Sequence, residues 1–185
     1  MSVVELLALA RLTNRFALHP RTGGIGLKGI VAYDSVQGST KAVAEAIAEQ
    51  ITSEGHQAQL IAVKQWTKAP LVGDFLFVGS PTRGGKMTNE AKDFIESLDP
   101  AQWKGKKVVT FDTVGPLSKD AEKRNKTLAS LNDKNAASRM KEICQEHGIP
   151  VYRTMHFAVV GMWGPLAPDG EQMAKEQAHK FLSEL

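Results

Sequence analysis

From Lys28 onward the chain alternates between short apolar runs and longer segments whose apolar residues recur every three to four positions. Gly29–Asp34 reads as a buried strand, and Ser39–Glu54 as a helix with Val43, Ile47 and Ile51 on one face, ended by Gly55. His56–Val63 alternates like a strand with one face less buried, as at a sheet edge. Asp74–Ser80 carries Phe75-Leu76-Phe77-Val78-Gly79 and reads as a central strand. Thr88–Leu98 predicts a helix with Ala91, Phe94, Ile95 and Leu98 inward, and Lys107–Thr113 a further apolar strand. Lys134–His147 predicts a helix closed by Gly148, Val151–Val160 the last strand, and Gly170–Leu185 the last helix. Ala174, Ala178, Phe181 and Leu182 turn inward on that helix.

Apolar strands alternating with amphipathic helices imply a parallel sheet covered on both faces. Right-handed crossovers then wind the five strands into a three-layer, doubly wound α/β fold. Ligands of such sheets bind outside the carboxyl ends of the strands. Three loops there carry the interest: Ser35–Thr40, Pro81–Thr88 and Val114–Lys119. The polar stretch Leu117–Asp133, with Lys119, Lys123, Arg124 and Lys126, exceeds a tight connection. It reads as a flap beside the third loop, or as a solvated loop or extra helical turn.

Residues 1–27 stand apart. Val3–Leu18 mixes Leu, Ala and Val with Glu5, Arg11, Asn14 and Arg15, which predicts an extra N-terminal amphipathic helix. Two uses stay open: packing on the domain or on a second copy of the chain, or weak membrane-surface contact through residues 3–18. A signal peptide is not expected, because Glu5 stands where basic residues would. Gly24-Ile25-Gly26-Leu27-Lys28-Gly29 matches the dinucleotide pattern G-x-G-x-x-G in form only. It precedes a strand instead of following one, so it reads as a linker to the domain at residues 28–185.

Composition adds bounds. The 185 residues suit one domain, with 42% hydrophobic and 23% charged residues. Net charge is +3, spread along the chain, so nucleic-acid binding does not follow. Cys144 is the only cysteine, which excludes an intramolecular disulfide and fits a reducing, cytoplasmic setting. Its neighbours at helical spacing are apolar, so it reads as a packed core thiol. The histidines lack metal-ligand spacing, and His156 reads as a core residue of the last strand. Neither a metal nor a set of catalytic side chains is expected.

The first loop, Ser35-Val36-Gln37-Gly38-Ser39-Thr40, runs from a strand into a helix. A helix start offers unpaired N–H groups and a positive dipole end, which favour a phosphate. Ser35, Ser39 and Thr40 add hydroxyls. The Gly38-Ser39-Thr40-Lys41 order is not that of a Walker A loop. Simple N-capping is the competing reading. The second loop, Gly79-Ser80-Pro81-Thr82-Arg83-Gly84-Gly85-Lys86-Met87, and the third, Asp112-Thr113-Val114-Gly115-Pro116, are rich in small residues that let a flat ligand approach the backbone.

Together these loops resemble the flavodoxin-like family, from about Ile30 to the C-terminus. The resemblance implies strand order 2-1-3-4-5 and an FMN held by three loops. Ser35, Val36, Gln37, Gly38, Ser39 and Thr40 would take the phosphate, with Gln37 in place of the usual hydroxyl. Pro81-Thr82-Arg83-Gly84-Gly85-Lys86-Met87 is similar to a segment of the NAD(P)H:quinone reductase branch. Pro81, Thr82, Arg83, Gly84 and Gly85 would line the isoalloxazine, with Thr113, Val114 and Gly115 towards its pyrimidine edge. Arg83 or Lys86 near the ring would favour a reduced, anionic flavin. Trp163, just after the last strand, falls on the same edge and would cover either the ring or the core.

The resemblance implies an FMN-dependent redox protein, an electron carrier or an NAD(P)H:quinone oxidoreductase. The partner is expected to be a redox protein, acidic to match this basic chain, or NAD(P)H and a quinone. A homo-oligomer is compatible with the extra N-terminal helix. A flavin-free binding or scaffold module is the alternative from another class.

Overall fold

The computed structural model describes residues 26–162 and 164–185. The expected N-terminal helix, most of the glycine-rich linker and Trp163 lie outside the described residues. Five parallel strands form one sheet in the order β2-β1-β3-β4-β5. They are β1 Lys28–Tyr33, β2 Gln57–Ala62, β3 Phe75–Pro81, β4 Lys107–Val114 and β5 Val151–Ala158. β2 lies at an edge and is the most exposed strand, as its alternation predicts.

The strand period of two divides the core. Val31, Phe75, Phe77, Val109, Phe111 and Phe157 face one side of the sheet. There they meet Val43, Ile47 and Ile51 of α1 (Ser39–Ser53) and Ala174, Ala178 and Phe181 of α6 (Gly170–Leu182). Ile30, Ala32, Leu76, Val78 and Val108 face the other side. Their partners come from α2 (Asn89–Glu96), the short α3 (Pro100–Trp103) and α5 (Ala136–Glu146). Cys144 is wholly buried in this second layer, as expected, and burial pushes its thiol up to about 12. Gly79 is required by packing: a Cβ there would stand 2.1 Å from the Phe111 ring.

The polar stretch after β4 is ordered by a helix, α4 (Ala121–Ala129), where sequence left a flap, a loop or an extra turn open. Its anchor is Arg124, only 2% exposed. The guanidinium donates to the Ser118 and Lys119 carbonyls at 3.2 and 3.0 Å and pairs with Asp169 at 2.6 Å. An arginine as the inward residue leaves no apolar stripe for a sequence to display. Two shorter pieces, α3 and a 3-10 turn at Val63–Gln65, also lie outside the expected elements. No helix among the described residues is long and apolar enough to cross a membrane.

Candidate functional site

Parallel strands bring their carboxyl ends, and so the three loops, to one edge of the sheet. There they surround a cavity of about 370 Å³, within the range of small-molecule sites. Its phosphate-side wall holds Ser35, Val36, Gln37, Ser39 and Thr40. Pro81, Thr82, Arg83 and Gly84 come from the second loop, and Thr113 and Gly115 from the third. Gly38 lies at the helix start, Gly85 lines a neighbouring depression, and Val114 is not part of this lining.

The first loop turns at Gly38, whose φ of 93° is left-handed and suits glycine. Gly38 is also the N-cap of α1, so no side chain caps that helix. The competing capping reading therefore fails here: the N–H groups at the helix start keep their need for an acceptor. A Cβ at Gly38 would meet no atom within 4 Å, so the loop is open on that side. Ser35 Oγ accepts from the Gly38 N–H at 3.1 Å and shapes the turn.

Two of the hydroxyl residues that line the cavity also tie the protein together. Thr40 Oγ1 bonds Thr113 Oγ1 at 2.8 Å in a buried contact. Thr82 Oγ1 donates to Asp112 Oδ2 at 2.7 Å and accepts from the Ala136 N–H at 2.7 Å. Asp112, fully buried, also accepts from the Ala137 N–H at 3.2 Å and pairs with His156 Nδ1 at 2.8 Å. His156, expected as a core residue, is thus a partly buried strut on this carboxylate. The start of α5 suits the negative charge of Asp112.

Beyond Thr82, Arg83 and Lys86 exchange backbone hydrogen bonds of 2.9 and 3.0 Å. Gly84 and Gly85 between them have φ of 55° and 76°, as a two-residue primed turn demands. The third loop is zipped to the chain after β5: the Leu117 N–H donates to Val159 O, and the Val159 N–H to Val114 O. A Cβ at Gly115 would stand 2.2 Å from Val159 O, so this approach needs glycine.

Pro116 of the third loop also lines the cavity, and Val159, Met162 and Gly164, which the sequence did not point to, complete the lining. Val159–Ala167 folds back on itself, with Val159 bridged to Leu166, and carries Met162, 72% exposed, to the rim. Its place after the last strand, the same that puts Trp163 on this edge in the sequence, was the available signal. Among the described residues the lining has no aromatic ring and no carboxylate, and Arg83 is its charged side chain. Asp34, next to Ser35, is buried and pairs with Lys64 at 3.3 Å.

A model of the flavodoxin domain matches residues 30–159. The chain belongs to the flavodoxin family. Oxidised flavodoxin 2 from Bacillus cereus is similar at 24% identity, with 85% of this chain and 99% of that one aligned and a TM-score of 0.63. A flavodoxin from the domain Archaea shares 24% identity over 85% of this chain and 98% of its own, with a TM-score of 0.62. Rubredoxin oxygen:oxidoreductase from Desulfovibrio gigas shares 19% over 82% of this chain but 34% of its own, with a TM-score of 0.56.

The cavity fits FMN on its own terms. An uncapped helix start and hydroxyl-rich loop at one end suit a phosphate. Pro81, Pro116, Val159 and Met162 supply apolar surface for a ring, and among the described residues no lining carboxylate opposes an anion.

Proposed function

We propose that the chain binds FMN in this cavity and serves as an electron carrier between redox partners. The observation that carries the reading is the uncapped N-terminus of α1 opening onto a cavity that the second and third loops also line and whose described lining holds no carboxylate. The isoalloxazine of bound FMN supplies the electron chemistry. The chain's part is to bind and orient it. The backbone N–H groups at the start of α1, with Ser35 and Ser39, take the phosphate. The primed turn at Gly84–Gly85 and the Gly115 approach bring backbone to the ring. Arg83 adds positive charge that favours the reduced, anionic flavin. A reducing, cytoplasmic setting accords with the single buried thiol.

Titration of the purified chain with FMN tests the reading. Quenched flavin fluorescence and a shifted visible spectrum at micromolar concentration are expected. Absence of both supports the flavin-free scaffold instead. One observation favours a second reading, NAD(P)H:quinone oxidoreduction: the described lining has no aromatic cover, which leaves a ring face open to a hydride donor. Stopped-flow mixing with NADPH separates the two. Rapid bleaching points to the reductase, and bleaching only by a reduced partner protein to the carrier.

A further inference from the structure

A second, larger depression of about 750 Å³ opens beside the cavity and shares Gly84 with it. It runs between α2 and α5, with Met87 and Ile143 half-buried in its lining. A Cβ at Gly85 would sit 3.2 Å from the Lys134 carbonyl, so the primed turn packs against residue 134. That packing gathers exposed Lys86 and Lys134 at the end nearest the cavity, with Lys92 and Arg139 one turn further along their helices. Both helix N-termini point to this same end, because both helices follow parallel strands. Their dipoles add to its positive character. Glu142 and Glu146 follow along α5, so the groove grows acidic away from the cavity. Arg139 is held by Glu142 at 2.7 Å and Lys92 by Glu96 at 3.5 Å. Among the described residues, Lys86 and Lys134 make no ion pair with a carboxylate of the chain.

We infer that this groove docks an acidic segment of a redox partner protein, placing the partner's redox centre beside the flavin cavity. The inference rests on the proposed FMN reading. A dinucleotide, anionic at both phosphates, would meet Glu142 and Glu146 at the far end. A polypeptide with carboxylates at one end and an apolar middle matches the charge gradient and the apolar lining.

The test uses the full chain, with and without FMN, and a plant-type [2Fe–2S] ferredoxin of net negative charge as probe. Binding is measured by calorimetric titration. Electron transfer is measured as the rate at which one-electron oxidation of the reduced ferredoxin delivers that electron to the flavin. Lys86→Glu/Lys134→Glu is expected to weaken binding and slow transfer at least tenfold. Lys104→Glu/Lys180→Glu, which changes net charge equally at the far end of the sheet, is expected to change both less than twofold. Ferredoxin with its carboxylates amidated is expected to lose at least tenfold in affinity for the unaltered chain. Equal effects of the two double variants, or no binding by the unaltered chain, overturn the docking site. Failure to load FMN while ferredoxin binding stays sensitive to Lys86 and Lys134 overturns the flavin reading alone.

Discussion

Thr40 and Thr113 meet hydroxyl to hydroxyl at 2.8 Å, buried, across 73 residues of sequence. The bond ties the first turn of α1 to the end of β4, and so the phosphate-side loop to the ring-side edge. Either Thr40→Val or Thr113→Val leaves a buried hydroxyl without its partner, at a cost of about 1–3 kcal/mol. The double variant removes both hydroxyls and keeps the shape, so its cost should be smaller than the sum of the two. Urea unfolding of the four proteins checks this. Additive costs would show that the two hydroxyls act independently.

Thr82 holds the ring-side loop through two bonds at once, to Asp112 and from the Ala136 N–H. Thr82→Ala leaves the first N–H of α5 without its acceptor and takes one of two donors from Asp112 Oδ2, which keeps the Ala137 N–H, and is expected to cost about 2 kcal/mol. Thr82→Ser keeps the hydroxyl and should recover most of that. Asp112→Ala, which leaves three donors without their acceptor, should cost more than Thr82→Ala. FMN should dissociate faster from Thr82→Ala than from Thr82→Ser. Equal off-rates would detach this network from the cofactor loop.

The sheet and its four large helices were legible because apolar residues change period from two to between three and four along the chain. Phe75 and Phe77 against Leu76 and Val78, for example, sort to opposite faces as that pattern requires. The loops were legible as chemistry but not as geometry. Nothing in Ser35–Thr40 says that Thr40 turns its hydroxyl to Thr113, because that partner lies on another strand. Arg124 hid α4 for a related reason: its inward side chain is charged, and its neutralising Asp169 lies 45 residues away. The apolar run Val151–Val160 absorbs Val159 into the last strand, and Met162 lies in an irregular return that has no periodicity to read.

Gln37 lies exposed in the loop that opens onto the start of α1. Gln37→Glu changes little but charge and sets a carboxylate beside the expected phosphate. Like charges repel there, so the Kd for FMN should rise on the order of tenfold, equivalent to about 1.4 kcal/mol. Riboflavin, which lacks the phosphate, should bind the variant and the unaltered chain alike. Raising the salt should narrow the FMN difference. An equal loss for both ligands would move the phosphate away from this loop.

Cys144 provides a stability test independent of any ligand. Its thiol is pushed from 9.0 to about 12 by burial among apolar side chains. Above pH 9 the unfolded chain releases a proton that the folded chain keeps. The folded state then binds more protons, and its stability falls as pH rises through that window. By pH 10 the loss from this group is about 1.4 kcal/mol. Cys144→Ala lacks it, so the stability gap between the two proteins should narrow by about that amount from pH 8 to pH 10. Thiol-specific labelling at pH 8 should likewise be negligible in the folded chain and rapid in denaturant. A gap that stays constant with pH would show that the folded chain does not hold this proton more tightly than the unfolded one.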